Sequence, residues 1–427
     1  MTTSLHDRLA ALADTAPSGA PGPDLWEAGM RRHRRRRAGA TAVVAATVVL
    51  LTGLGVVLPP WGGGERPLPA DVPFGELHLP RTVYPPSEWA PGTDEAGPPG
   101  PLAAVGRATR SRRVGLTGAS RGGQPYGVSA VDGTVRFLDL PGSNLADLGY
   151  GSLTLSPDGT KVGYVCYRGD DIVGWAVYDT TTGKVVRLRD GHQASILGTD
   201  VFEISFSGDS RYLQTNYSPI GSDGSRDDQL VVWDVETGEA IPAERSGFFW
   251  LPDMGTGPDG IVWSRGRSIF RFDPATGQTT SVRVPQQVVE PSYGPDGEEL
   301  AYVATGENDK SPWRFFAGGR QVDLGFEPDT VLGWRDADHV VVGHETPGEL
   351  AVVDIRTGAV TRDRTAAPRA QMSPVYASGL WANEPVDGVR PPEVGDPRPS
   401  VRVIGAGVVV VVLAAGLLLW RRRRVRS

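Results

Sequence analysis

The sequence predicts an all-β fold, a six-bladed β-propeller that stands between two transmembrane helices. Three observations lead to this prediction: a turn unit that recurs along the middle of the chain, a second turn unit that alternates with it, and one apolar segment near each end. The composition agrees, because 56 glycines and 36 prolines in 427 residues favour a turn-rich β protein over a helical one.

The first unit is an apolar residue, Asp, two variable residues and then Thr-Gly. It occurs four times in full and twice in a degenerate form, as YDTTTG (178–183), WDVETG (233–238), FDPATG (272–277), VDIRTG (353–358), VDG (131–133) and AGG (317–319). The glycines that close these turns are 39 to 55 residues apart. In such a turn the Asp side chain accepts backbone N–H bonds and Gly takes the left-handed conformation, so each unit predicts a hairpin.

The second unit is a tight turn centred on Asp, and it precedes each later copy of the first unit. Its copies are SPDG (156–159), SGDS (207–210), GPDG (257–260), GPDG (294–297) and RDAD (335–338). Alternating runs rich in Val, Ile, Tyr and Trp follow both units, which is the pattern of half-buried strands. Two hairpin turns in each repeat predict a four-stranded antiparallel blade, and tandem blades bury their faces against each other in a propeller.

The Asp-Gly pairs of the second unit are predicted to be structural. The same pair recurs at the same place in three blades, whereas a ligating or catalytic aspartate is more typical of a single copy. These blade residues are Asp158 and Gly159, Asp259 and Gly260, and Asp296 and Gly297.

One copy, residues 191–234, resembles a WD40 repeat. Gly191 and His192 open it, Trp233 and Asp234 close it, and Asp227 lies six residues before Trp233. The repeat array as a whole resembles the blades of WD40-like and TolB-like propellers and covers about two thirds of the chain. For the WD40-like copy, the resemblance implies that His192 and Asp227 share a hydrogen-bond network inside the blade.

The turn units also set the blade count and the domain boundaries. Six units predict six blades over residues 105–384, and strand-like runs at 77–84 and 375–382 leave a seventh blade as the alternative. Pro/Gly-rich sequence predicts a linker and the propeller entry at 59–104 and a second linker at 385–400.

Two apolar segments predict transmembrane helices. Residues 38–58 carry no charge, and residues 401–420 carry none from position 403 onwards, which suits a bilayer core about 30 Å thick. Arginine-rich tails, residues 1–37 and 421–427, flank the segments, and the positive-inside rule places both tails in the cytoplasm. The alternative for the first segment is a cleaved signal peptide, which also leaves the middle outside. The predicted location is therefore the cell membrane, with an extracytoplasmic propeller.

The predicted outer region is acidic. Residues 59–400 carry 46 acidic and 30 basic side chains, a formal net charge of −16. This balance argues against nucleic acid as the ligand.

Motifs that carry enzyme or metal chemistry are weak. GASRG (118–122) matches the G-x-S-x-G pattern with Ser120 as the nucleophile, but a turn and a strand-like run follow it where that motif requires a helix. His339 and His344 are close in sequence, and their odd spacing predicts opposite faces of a strand. The sequence therefore predicts no enzyme, no catalytic residue, no cofactor and no metal, and an envelope hydrolase is the least favoured function.

Two hypotheses of function are favoured over the hydrolase. The first is a non-enzymatic binding or scaffold module for an envelope ligand or a protein partner, in which the insert at 218–229 is either a binding loop or a spacer. The second is a transmembrane regulator whose residues 1–37 hold a cytoplasmic factor through Leu25, Trp26 and Met30. This layout resembles actinobacterial anti-sigma regulators, although the zinc-binding H-x-x-x-C-x-x-C of the common anti-sigma domain is missing from the sequence.

Overall fold

A computed structural model describes the central part of the chain. The described residues are 76–114, 117–143, 153–168, 171–188, 200–218, 228–246, 253–305, 312–344, 349–363 and 374–396, with a few isolated positions nearer the two ends. Apart from those positions, the predicted transmembrane segments and cytoplasmic tails lie outside the described residues. No helix within the described part of the chain is long and apolar enough to cross a membrane.

The described strands form six four-stranded antiparallel sheets, which are the six predicted blades. Blade 1 contains β1 (Leu102–Val114), β2 (Thr117–Ser129), β3 (Val135–Phe137) and β24 (Val375–Tyr376). Blades 2 and 3 contain β4 (Leu153–Leu155), β5 (Lys161–Arg168), β6 (Asp171–Asp179), β7 (Val185–Leu188), β8 (Asp200–Phe206), β9 (Tyr212–Ser218), β10 (Asp228–Asp234) and β11 (Ala240–Ser246). Blades 4 and 5 contain β12 (Asp253–Gly255), β13 (Ile261–Arg265), β14 (Ser268–Asp273), β15 (Gln278–Arg283), β16 (Gln287–Tyr293), β17 (Leu300–Thr305), β18 (Arg314–Ala317) and β19 (Arg320–Val322). Blade 6 contains β20 (Thr330–Trp334), β21 (His339–Gly343), β22 (Leu350–Asp354) and β23 (Val360–Asp363).

The blades are arranged as a closed ring whose first strands lie towards the centre. The strands β4, β8, β12, β16 and β20 contact one another in turn, and β24 contacts β4. The fourth strands lie at the outside, and every residue of β15 is exposed.

The core lies between adjacent blades because alternate side chains of a strand point to opposite faces. In β13, Ile261 and Trp263 pack in a cluster shared with blade 3, whereas Val262 between them packs in a cluster shared with blade 5. Similar clusters join blades 2 and 3 and blades 5 and 6. Burial of one such side chain contributes roughly 1.5–3 kcal/mol, so each strand stabilises two joints of the ring.

The ring is closed by a strand that comes from the far end of the fold. Among the described residues that precede it, β1 finds no partner for its inner edge, and β24 pairs with it through Ala104↔Tyr376 and Val105↔Val375. The alternative of a seventh blade is therefore wrong. Of the two strand-like runs that could have formed a seventh blade, the one at 375–382 supplies the innermost strand of blade 1. The other, 77–84, forms no sheet among the described residues.

A 3-10 helix, Ser378–Ala382, fills the joint between blades 6 and 1. Trp381 of this helix is buried, and a Cβ on Gly333 of β20 would lie 2.7 Å from its Cδ1 atom. The amide of Gly379 donates to the carbonyl of Pro157 in blade 2 (3.0 Å). One apolar cluster accordingly contains residues of blades 1, 2 and 6.

The segment before blade 1 is more ordered than its Pro/Gly content predicts. Residues 76–100 include the short helix α1 (Thr93–Ala96) and pack along blade 1, where Leu79 and Val83 are almost completely buried. The first strand begins at Leu102, three residues before the predicted boundary. Apolar residues placed between the prolines give this stretch a buried side that a spacer would not have.

Candidate functional site: the turn face

Two kinds of turn meet at one end of the propeller. In an antiparallel blade, the turn between the first and second strands and the turn between the third and fourth strands lie at the same end. We call this end the turn face, and its segments are 130–134, 156–161, 179–184, 207–211, 234–239, 257–260, 273–278, 294–299, 317–320, 335–339 and 354–359. The opposite end carries the loops between second and third strands and the connections of the chain from one blade to the next. We call it the loop end.

Asp158 organises the turn between β4 and β5. Its carboxylate accepts hydrogen bonds from the hydroxyl of Ser156 (2.6 Å) and from the amide of Thr160 (3.0 Å), while Ser156 Oγ accepts from the amide of Lys161 (2.9 Å). Gly159 has φ of +74°. Burial raises the pKa of the Asp158 carboxyl, but the hydrogen bonds from Ser156 and Thr160 outweigh it and hold the pKa below its usual value. The ionised carboxylate of Asp158 therefore stabilises the turn.

The same arrangement recurs in blade 3. Ser207 donates to Asp209, and the amide of Arg211 donates to the same carboxylate (3.1 Å). Ser210 occupies the position that Gly159 has in the turn of Asp158, and it adopts a φ of +58°. Its hydroxyl accepts a hydrogen bond from the amide of Asp158 (3.3 Å), so the strained residue links two neighbouring turns.

The corresponding turns of blades 4 to 6 contain fewer of these hydrogen bonds. Asp296 accepts from the amide of Glu298 (3.0 Å), and Asp336 accepts from the amide of Asp338 (2.8 Å). Asp259 forms an ion pair with Arg271 of β14. In each of these turns the aspartate side chain is exposed at the turn face.

The turns between the first and second strands of neighbouring blades pack against one another around the ring. A Cβ on Gly159 would overlap the carbonyl of Leu102 in blade 1, and a Cβ on Gly208 would overlap the carbonyl of Gly257 in blade 4. Arg271, which pairs with the turn of its own blade, also donates to the carbonyl of Gly297 in the next blade (3.2 Å). Together with the Ser210 bond, these contacts connect the turns of blades 2 to 5 and make that part of the turn face rigid.

In the turns between third and fourth strands, the aspartate side chain accepts hydrogen bonds from backbone amides, as the sequence predicts for hairpins. Asp179 accepts the amides of Thr181 (2.8 Å) and Thr182 (2.9 Å), and Asp354 accepts those of Arg356 (2.8 Å) and Thr357 (2.9 Å). Asp273 and its Thr-Gly follow the same pattern.

The WD40-like copy is described only in part. His192 and Asp227 lie outside the described residues, as does most of the insert at 218–229, so the implied hydrogen-bond network stays a prediction. Trp233 is buried, and its Nε1 donates to Thr215 Oγ1 (2.9 Å). Asp234 accepts the amides of its own turn and pairs with Arg211 (3.2 Å).

The turn face has a strong excess of acidic side chains. Its segments contain fifteen Asp and Glu against six Lys and Arg. Several cations are already paired, because Arg356 contacts Asp338 (2.5 Å) and Arg211 contacts Asp234. Glu236 and Glu298 stand exposed at this end. A rigid surface of this charge is suited to contact with cationic groups.

The other chemical candidates do not assemble into a site among the described residues. GASRG (118–122) lies inside β2 of an antiparallel hairpin, without the strand-turn-helix geometry that a nucleophile elbow needs. His339 Nδ1 contacts Asp336 (2.8 Å) at the turn face. No group of three or more His, Cys, Asp and Glu in the described part of the chain could hold a metal ion. Leu25, Trp26 and Met30 lie outside the described residues.

Sequence reasoning missed a charge cluster beside blade 1. Arg110 of β1 is 5% exposed and contacts Asp139 (Nη1 to Oδ1, 2.7 Å) and Asp94 of α1 (3.6 Å), and Arg112 contacts both carboxylates. Burial and the neighbouring Asp139 raise the pKa of the Asp94 carboxyl to about 6. These residues are 16 to 45 positions apart, except for the two arginines, so no local motif announces the cluster.

Comparisons with known proteins find distant structural similarities and no family. No known family model and no curated protein matches the chain. Among solved structures, it is similar to an oligogalacturonate lyase from Vibrio parahaemolyticus (12% identity, TM-score 0.38, 67% of this chain and 78% of that one). It is also similar to TolB from Acinetobacter baumannii (13%, 0.31, 65% and 78%) and to the β-propeller domain of the Trilobed protease from Pyrococcus furiosus (14%, 0.36, 70% and 86%). The likeness is too distant to assign an activity or a ligand.

Proposed function

We propose that this protein is a membrane-anchored, extracytoplasmic β-propeller that binds a partner without catalysing a reaction. The partner is an envelope component or a protein that presents Lys and Arg side chains to the turn face. The anchors are the apolar segments 38–58 and 401–420, and both tails are cytoplasmic. The proposal rests chiefly on one observation, the rigid turn face with fifteen acidic and six basic side chains.

Rigidity matters because a surface that is already ordered loses little conformational entropy when a partner docks. The turn aspartates are used for internal hydrogen bonds, so their orientation is fixed before binding. The glutamates beside them, such as Glu236 and Glu298, are exposed. We expect these glutamates to supply direct contacts and the structural aspartates to supply a fixed negative field.

The test compares two pairs of charge-neutralising variants in the full chain, reconstituted in nanodiscs. One carries Glu236→Gln and Glu298→Gln on the turn face. The matched control carries Glu349→Gln and Glu393→Gln, which are exposed residues away from it. We expect a protein captured from envelope extracts by the wild type to be lost from the first variant and kept by the control. Equal capture by both variants would contradict binding at the turn face.

Membrane anchoring is tested separately by protease treatment of intact protoplasts. If the propeller is extracytoplasmic, its fragments appear without lysis, while both tails stay protected. A propeller that is digested only after lysis would place it in the cytoplasm and overturn the proposal.

A further inference from the structure

We propose that the outermost strand of blade 4, β15, is a site at which two copies of this chain pair edge to edge. The inference goes beyond the proposed function and depends neither on the turn face nor on membrane anchoring. It follows from the backbone groups that β15 presents outwards, from the differences between β15 and the other outer strands, and from the fit of β15 to a second copy of itself.

The outer edge of β15 presents backbone donors and acceptors to solvent. The amide of Val284 donates to the carbonyl of Arg267 (2.9 Å), and from there β15 pairs with β14 without a bulge as far as Gln278↔Asp273. Because hydrogen-bonded pairs alternate along an antiparallel ladder, every second residue of β15 turns its N–H and C=O groups away from β14. No described residue pairs with these outward groups, which belong to Thr279, Ser281 and Arg283.

The other outer strands of the described blades have features that oppose such pairing. β3, β7, β19 and β23 contain only three or four residues, and β3 is also covered, since the amide of Phe137 donates to the carbonyl of Pro91 (3.3 Å). β11 has seven residues but contains Pro242 and pairs with a register shift. β15 has six exposed residues, no proline, no bulge and no charge before Arg283. It is therefore the outer strand that most readily accepts a further strand.

A second copy of β15 fits this edge in an antiparallel register centred on Ser281. Two identical chains that pair through the same patch are related by a two-fold axis, which in a shared sheet makes the two strands antiparallel. With Ser281 on the axis, Thr279 of each copy lies opposite Arg283 of the other. All the outward residues of both copies are then used, and three hydrogen-bonded pairs of two bonds each give about six backbone bonds.

The two neighbouring registers use fewer of these bonds. A shift in one direction sets Arg283 opposite Gly277, whose φ of +70° belongs to the turn and not to a strand. A shift in the other direction sets Thr279 opposite Pro285, which has no N–H to donate. The turn and the proline thus restrict the pairing to the register centred on Ser281.

The side chains are compatible with that register. No like charges lie opposite each other, because Arg283 faces Thr279. On the other face of the sheet, Thr280 lies opposite Val282 of the second copy, a β-branched pair of the kind that stabilises sheets. Val282 is 45% exposed in the single chain, so pairing covers apolar surface that is otherwise in water.

The strength of the pairing is limited by its size. One strand supplies far fewer than the roughly 20–30 residues a side of a standard stable interface. We therefore expect a weak dimer that forms and dissociates with concentration, and the tests below measure its register as well as its affinity.

The first test detects the register by disulfide formation in the full chain, purified in a mild detergent. Ser281→Cys places two thiols at the axis, with Cα atoms about 5.5 Å apart, which a disulfide can span. Gln278→Cys is the matched control, because it is exposed on the same strand but its two copies would be about 20 Å apart. The native Cys166 is 2% exposed, and the unchanged chain supplies the background. We expect a covalent dimer from Ser281→Cys only, and equal yields from the two variants would overturn the proposal.

The second test removes one outward donor and leaves the bonds to β14 intact. Ser281→Pro lacks the N–H that faces the second copy, and proline is tolerated in an edge strand where that group faces solvent. Ser281→Thr keeps the N–H and is the control. Sedimentation velocity over a range of concentrations should show self-association at least fivefold weaker for the proline variant and close to the wild type for the threonine variant. Unchanged association of Ser281→Pro would overturn the proposal.

The third test changes a charge and leaves the backbone as it is. Thr279→Glu places a carboxylate opposite Arg283 of the second copy, and Thr279→Lys places a like charge there. Each dimer contains this pair twice, so we expect the first variant to tighten self-association and the second to weaken it, each by roughly 2- to 30-fold. The net negative charge of the chain alone predicts the reverse order, because an added carboxylate increases repulsion between copies. The reverse order, or a wild type that stays monomeric at every concentration, would overturn the proposal.

Discussion

Arg110 of β1 and Asp139, which follows β3, form an ion pair of 2.7 Å, and Asp139 also accepts the amide of Asp94 in the segment before blade 1 (3.1 Å). The guanidinium group also lies 5.0 Å from the ring centroid of Phe137. Gly92 makes room for the pair, because a Cβ there would overlap both side chains. The contact joins three parts of the chain that are far apart in sequence.

Removal of one partner of this pair should be costly. Asp139→Asn leaves Arg110 buried without its closest carboxylate, which typically destabilises a protein by about 3–5 kcal/mol. Asp338→Asn is the matched control, because its partner Arg356 is largely exposed and such pairs contribute at most about 1 kcal/mol. Urea unfolding of both variants measures the difference. Equal losses in stability would contradict the role of burial.

The interlocked turns give a second prediction. Gly208→Ala places a methyl group against the carbonyl of Gly257, so blades 3 and 4 have to separate locally, at a cost of roughly 1–3 kcal/mol. Gly122→Ala is the control, because nothing lies within 4 Å of its Cβ position. Thermal unfolding should show a lower Tm for the first variant only. A Tm unchanged by Gly208→Ala would mean that the turns are not locked together.

Acid should destabilise the propeller through its turn carboxylates. Asp158, Asp179 and Asp354 have pKa values below the usual range in the folded chain, since hydrogen bonds to the ionised form outweigh burial at the first two and act with little burial at the third. A lowered folded pKa contributes stability above the unfolded pKa of about 4, and that stability is lost as pH falls below it. Asp179→Asn should therefore flatten the loss of stability between about pH 4 and 2. An acid limb as steep as that of the wild type would contradict this assignment.

Asp94 should act in the opposite sense. Its pKa of about 6 exceeds the unfolded value, so protonation favours the folded state. That contribution is complete below about pH 4 and is lost as pH rises through 6. Asp94→Asn should remove a decline in stability over this interval, measured as the urea midpoint at several pH values. Arg110 and Arg112 oppose the shift, and a decline that persists in the variant would assign it to another group.

The turns were predictable because their chemistry is local. An Asp that caps backbone amides and a Gly in the left-handed region lie within five residues of each other, so Asp158-Gly159 and its repeats reveal the blade boundaries directly. Ser210 is an exception to this pattern, because a neighbouring turn stabilises its positive φ.

The closure and the charge cluster depend on contacts between distant residues and leave no such pattern. Val375 pairs with Val105 across 270 positions, and a two-residue strand is too short to be distinguished by periodicity. The prolines around Leu79 and Val83 concealed a packed segment, because composition alone does not reveal which side of an extended chain is buried. These are the places where the predicted boundaries and the seventh-blade alternative differ from the fold.

The way the ring closes also determines how it would respond to mechanical force. If residues 401–420 anchor the chain as proposed, tension on them would reach the propeller through residues 386–394 and would peel these residues from the segment that includes Leu79 and Ser87. The next contacts in its path are those of the 3-10 helix, including the bond from Gly379 to Pro157, and then the pairing of Val375–Tyr376, which is only two residues long. The ring would then part between blades 6 and 1 while the hairpins of blades 2 to 6 stayed paired. Under such a load, the joint between blades 6 and 1 would open first.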